Sequence, residues 1–108
     1  MKVRWNDLAK GQLRQASYFV LKTFGKATRE GFILKVRHTN ALLSANPYLG
    51  KTEPLLDYLS LDYRSIVVIP YHKIVYQIKE SHIKVLAFWD TRREPKSLIK
   101  DLEELVEE

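Results

Sequence analysis

Arg64, Lys73, Arg92 and Arg93 are the residues of this chain whose types and spacing suit work on phosphate. A guanidinium grips phosphate through two parallel hydrogen bonds and an ammonium acts as a point charge. Such a set therefore binds a nucleic-acid backbone or stabilises charge on a cleaving phosphodiester. The same residues equally suit a structural role as rim cations, with Arg92 or Arg93 tied to Asp90. As catalysts they lack an evident general base, and the neighbouring candidates, His72 and His82, fall at expected turns. Trp89 stands where an apolar segment ends and is open to stacking on a partner, whereas Tyr76 and Phe88 read as packing residues. His38, His72 and His82 lack metal-ligand spacing, and Asp57, Asp62, Glu80 and Asp90 form no compact two-metal motif. The glycines at 11, 25, 31 and 50 are too scattered for a phosphate loop. Neither a metal nor any other cofactor is expected.

These side chains need a scaffold. Residues 64–69, 74–78 and 83–88 are rich in Ile, Val, Tyr and Phe and are separated by Pro70-Tyr71-His72 and Glu80-Ser81, the pattern of a three-stranded antiparallel meander. Alternation puts Ile74, Tyr76 and Ile78 on one face and Lys73, Val75 and Gln77 on the other, the face expected to carry chemistry. Upstream, Lys2–Trp5 reads as an edge strand and Asn6-Asp7 as a helix cap. Ala9, Leu13, Ala16, Val20 and Phe24 then form one helical stripe that stops at Gly25. Phe32, Val36, Thr39 and Leu43 form the stripe of a second helix, ended by Asn46-Pro47. Residues 47–62, with Leu55-Leu56, connect to the sheet. Beyond Pro95, the recurrence of Leu98, Leu102 and Leu105 marks a terminal amphipathic helix with an acidic last turn. That turn is expected to lie near cations of the body, with Leu98, Ile99 and Leu102 docking on the domain.

At 108 residues, 45% hydrophobic and 29% charged, the chain suits one globular domain with a single modest core. No cysteine is present, which removes disulfides, thiolate nucleophiles and Cys-based zinc sites and fits a cytoplasmic protein. No apolar run approaches a membrane span, and no signal-peptide pattern follows Met1. The net charge of +5 conceals an asymmetry: residues 1–93 hold 16 Lys and Arg against 7 Asp and Glu, whereas residues 94–108 hold 2 against 6. A basic body favours an acidic partner, either nucleic acid or an acidic protein segment.

Taken in order, the segments resemble the RelE/ParE superfamily of toxins from bacterial type II toxin–antitoxin modules, also called plasmid stabilisation proteins. The likeness is carried by Trp5 through Ala9, Tyr18, Phe24-Gly25 and Asn46-Pro47-Tyr48-Leu49-Gly50. Its most specific part is Tyr63-Arg64-Ser65-Ile66-Val67-Val68, His72-Lys73-Ile74-Val75-Tyr76-Gln77-Ile78 and Phe88-Trp89-Asp90-Thr91-Arg92-Arg93 with Pro95. The resemblance implies an α+β fold of order β-α-α-β-β-β, with a helical hairpin on an antiparallel sheet. On this reading residues 1–95 are the toxin domain and 96–108 an acidic helix of the same domain. It also implies cytoplasmic residence and neutralisation by a cognate antitoxin.

RelE-like members cut mRNA on the ribosome without a metal, and ParE-like members inhibit DNA gyrase. By position Arg64, Lys73 and Arg93 match the cations of a RelE-like catalytic set, with Arg92, Trp89 and His72 as target- or nucleic-acid-binding residues. However, Ile66 replaces a strand lysine, and Thr91-Arg92 stand where some nucleases have His-Tyr. The resemblance therefore leans to a ParE-like, non-nucleolytic toxin. Its alternatives are a metal-independent, ribosome-dependent endoribonuclease and a basic RNA-binding member that has lost toxicity.

Overall fold

The computed structural model describes residues 1–53, 62–68 and 71–106. Leu55-Leu56, Asp57, Ile69, Pro70, Glu107 and Glu108 lie outside the described residues, as does the Leu105 side chain. Strand β1 (Lys2–Trp5) leads into helix α1 (Asp7–Phe24). The Asn6 carboxamide oxygen accepts the Ala9 N–H at 2.8 Å, satisfying a donor that the first helical turn leaves unpaired. Gly25 alone separates α1 from helix α2 (Lys26–Ala45), with φ at 93°. A side chain there would strain the backbone, which is why the stop falls on glycine.

The buried residues of α2 are Phe32, Val36, Thr39 and Leu43, the stripe its spacing predicts. Phe24, expected in the buried stripe of α1, is instead 62% exposed. It occupies the tip of the hairpin, where its ring meets Phe19 edge-on. After α2, Asn46 accepts the Tyr48 N–H and Pro47 opens a single 3-10 turn.

The remaining strands are β2 (Lys51–Thr52), β3 (Arg64–Val68), β4 (His72–Ile78) and β5 (His82–Asp90), ordered β1-β5-β4-β3-β2 in one sheet. The meander β3-β4-β5 is antiparallel as expected. Strand β1, however, joins β5 in parallel, so the five-stranded sheet is mixed. The α1–α2 hairpin and strands β2, β3 and β4 lie between these two strands in sequence, and the chain returns beside β1 in the same direction.

His72 and His82 are strand residues, not turn residues, because the ladder continues through the pairs His72↔Asp90 and Lys2↔His82. Within β4–β5 the register passes from Val75↔Ala87 to Tyr76↔Val85, leaving Leu86 as the extra residue of a bulge. Leu86 and Ala87 consequently both contribute to the same buried cluster, on the face away from the hairpin.

Both faces of the sheet are covered. Ile74, Tyr76, Val85 and Phe88 pack under α1 and α2 with Phe32, Val36 and Leu43. Val75, Leu86, Ala87 and Trp89 pack under helix α3 (Pro95–Val106) through Leu98 and Leu102, with Ile99 alongside. The face expected to stand open for chemistry is therefore a second core, in which even Gln77 is buried.

Candidate functional site

Because side chains alternate along a strand, the register decides which cations meet. Arg64 pairs with Tyr76 and so lies on the hairpin face, whereas Lys73 pairs with Val67 and Trp89 and lies on the α3 face. Tyr76 and Lys73 are also three residues apart on β4, about 10 Å along the strand. Arg64, which the resemblance groups with Lys73 and Arg93 as one catalytic set, is thus held apart from Lys73 across the sheet.

Each of the predicted cations has protein partners. The Arg64 guanidinium donates to the Gly50 carbonyl at 3.0 Å, lies 3.4 Å from Asp62 and sits over the Tyr48 ring at 5.0 Å. Tyr76 fastens the same connector: its hydroxyl donates to the Pro47 carbonyl at 2.7 Å and accepts the Gly50 N–H at 2.9 Å. A Cβ on Gly50 would fall 2.5 Å from that hydroxyl oxygen, so close approach requires glycine here. Lys73 reaches Glu53 at 2.7 Å, and this carboxylate is only 1% exposed. A buried ion pair of this kind is costly to break by removing one partner, which makes Lys73 a structural cation.

At the far end of β5, Arg92 grips Asp90 by donating from Nε and Nη2, at 3.0 and 2.9 Å, and covers the Tyr71 ring. The Arg92 hydrogen bond holds the Asp90 carboxyl down at about 2, and Asp90 in turn raises the Arg92 pKa. Thr91 and Tyr71 lock this corner, since the Tyr71 carbonyl accepts both the Thr91 N–H and its hydroxyl. Arg93 lies over the Trp89 ring at 4.4 Å.

Two of the expected binding residues need correction. Trp89 is 1% exposed beneath α3 and serves packing instead of stacking on a partner. His72 stacks on Phe88 at 4.7 Å and meets Phe32 edge-on, on the opposite sheet face from Lys73. Burial lowers its pKa, with Asp90 opposing, and its buried Nδ1 has no hydrogen-bond partner. A neutral ring held in an aromatic core is poorly placed to pass protons at a phosphodiester.

Two features lacked a usable sequence signal. Glu53 sits in a polar connector with no periodicity, and nothing in its spacing points to Lys73. The aromatics Tyr18, Phe19 and Phe24, at 62%, 56% and 62%, are exposed along the last turns of α1, with Phe24 edge-on to Phe19 and Lys22 over the Tyr18 ring. Their clustering is visible in the sequence, but their exposure is not.

The family model described as ParE toxin of type II toxin–antitoxin system, parDE, matches residues 3–95. The chain belongs to the ParE toxin family. It is a ParE-like toxin of the type II toxin–antitoxin class, within the superfamily its segments resemble. Among solved structures it is similar to the chromosomal ParDE TA system from P. aeruginosa, at 13% identity and TM-score 0.67, covering 83% of this chain and 95% of that one. It is also similar to the YoeB/ParE toxin from Agrobacterium tumefaciens, at 22% identity and TM-score 0.53, covering 83% and 98%. At such identities both establish the fold alone. No curated protein matches the chain. Among the described residues of this ParE-family chain, no helix is long and apolar enough to cross a membrane, and no three acidic or histidine side chains gather as a metal site.

Proposed function

We propose that this ParE-like toxin acts in the cytoplasm through protein contact with DNA gyrase, without cutting RNA, and is neutralised by a cognate antitoxin. The observation that carries the non-nucleolytic part is the separation of Arg64 from Lys73 across the sheet, with each already engaged by Asp62 or Glu53. Cleavage needs several donors aimed at one developing charge, and split, ion-paired cations supply no such focus. Gyrase as the target rests on the family resemblance. Residues 1–95 form the toxin domain in this reading, and 96–108 continue it as a covering helix.

The antitoxin segment is an acidic, apolar chain that orders on the helical hairpin and the sheet edge. Tyr18, Phe19 and Phe24 supply apolar anchors there, with Lys22 and Lys26 as the cations that donate to its carboxylates.

Primer extension on message from induced cells, beside a gyrase supercoiling assay, tests the mode of action. Inhibited supercoiling with uncut message is expected; codon-phased cuts with normal supercoiling would overturn it. Co-expression with the neighbouring reading frame tests the partner. Purification free of that product, under conditions where both are made, would count against the antitoxin assignment.

A further inference from the structure

We propose that a cleft between β1, the cap of α1 and the β4–β5 turn binds a phosphate group through Arg4, Lys79, Lys84 and the Asn6 amide. The cleft has a volume of about 540 Å³. The toxin reading above makes no use of it, and none of its residues belongs to the cation set discussed for RNA cleavage.

The parallel register of β1 and β5 seats Arg4 directly beside Lys84, and Lys2 beside His82. Their neighbours Val3, Trp5, Ile83 and Val85 pack into the hairpin core, so alternation turns these basic side chains to the opposite face. Like charges placed directly opposite destabilise a strand pair. The ion pairs among the described residues are Arg64–Asp62, Lys73–Glu53 and Arg92–Asp90, and none relieves Arg4 or Lys84. Lys79 adds a third charge at the turn, where its N–H donates to the His82 carbonyl at 2.8 Å. Glu80 is the acid of the lining, which leaves the cleft with a cationic surplus.

Asn6 is an independent observation pointing to the same place. Its Oδ1 caps α1 at the Ala9 N–H, which fixes the orientation of the carboxamide. Its Nδ2 is then buried with no acceptor. An unanswered buried donor is destabilising, and native folds rarely retain one without a reason. Asn6 is one of the residues lining the cleft, beside a guanidinium and two ammonium groups that are donors without acceptor capacity. The Ser81 hydroxyl, 3.1 Å from His82 Nδ1, sits at the rim. Donors drawn from a strand, a helix cap and a turn around one cleft suit the several oxygens of a tetrahedral phosphate better than the planar pair of a carboxylate.

Titration of the full chain at constant ionic strength tests the site, with amide and Asn6 side-chain resonances followed by NMR. The probes are inorganic phosphate and a short DNA duplex. Shifts confined to Arg4, Asn6, Lys79, Ser81 and Lys84 are expected. Saturation by inorganic phosphate identifies a free-anion site, and saturation by duplex at much lower concentration identifies a polynucleotide backbone. Asn6→Asp keeps the helix cap but replaces the donor by a carboxylate oxygen, and should weaken binding by about tenfold or more with the amide spectrum otherwise preserved. Joint Arg4→Gln and Lys84→Gln should also abolish binding while raising the melting temperature in phosphate-free buffer. Unchanged affinity of Asn6→Asp, or shifts spread evenly over Lys10, Lys22 and Lys35, would overturn the proposal.

Discussion

The two faces of the sheet each carry a buried core, yet these are covered by different amounts of structure. On one side α1 and α2, of 18 and 20 residues, form a hairpin whose stripes interlock with Ile74, Tyr76, Val85 and Phe88. On the other a single helix of 12 residues covers Val75, Leu86, Ala87 and Trp89, held by Leu98 and Leu102. The first face cannot be opened without dismantling the domain, because α1 and α2 bring Ala9, Phe32, Val36 and Leu43 into one core with Val68, Ile74, Tyr76, Ile83, Val85 and Phe88 of the sheet. The second depends on a few leucines at the end of the chain. A face can therefore be buried in the fold and still belong to its least anchored part.

The largest expected effect tests the well-anchored face. Leu43 is fully buried, so Leu43→Ala should cost about 2–5 kcal/mol through lost transfer energy and the cavity left behind. Urea unfolding should show one cooperative transition moved to lower denaturant; retention of the wild-type midpoint would mean the hairpin face is not what holds the domain.

Leu102→Asp should come next, removing about 1.5–3 kcal/mol of burial from the α3 face. Amide exchange is expected to accelerate along α3 while α2 stays protected, and Trp89 fluorescence should shift to the red. Loss of protection in α2 as well would break the comparison, by showing that the two faces fold as one unit.

Tyr76→Phe leaves the Gly50 N–H and Pro47 carbonyl without their shared partner, at a cost of about 1–3 kcal/mol. Thermal melts should register it, and Arg64→Ala, which frees the Gly50 carbonyl of the same connector, should couple with it in a double-mutant cycle.

The smallest effect is one of pH. Burial depresses the His72 pKa below its ordinary value near 6.5, so the folded state resists protonation more than the unfolded chain does. The associated stability is fully present above about pH 6.5 and is lost as pH falls through the folded pKa, with a slope of at most about 1.4 kcal/mol per pH unit. Asp90, held at about 2, contributes its own loss only when pH falls below the ordinary carboxylate range. His72→Gln should flatten the stability profile between those two regions. An unchanged profile in that variant would assign the dependence elsewhere.

By itself the sequence determined the elements and the family: the α2 stripe of Phe32, Val36, Thr39 and Leu43, the stop at Gly25, the antiparallel meander and the terminal leucine helix all follow from local periodicity and backbone preference. These are legible because helix and strand periods, caps and glycine conformations are properties of neighbouring residues. Only the tertiary structure decided which cations share a face, because the strand register is fixed by packing across the whole sheet. It separated Arg64 from Lys73, buried Trp89 under α3 and turned His72 into the hairpin core. It also placed Arg4 beside Lys84 and joined Glu53 to Lys73. Those meetings depend on distances between residues remote in the chain, which no spacing along it records.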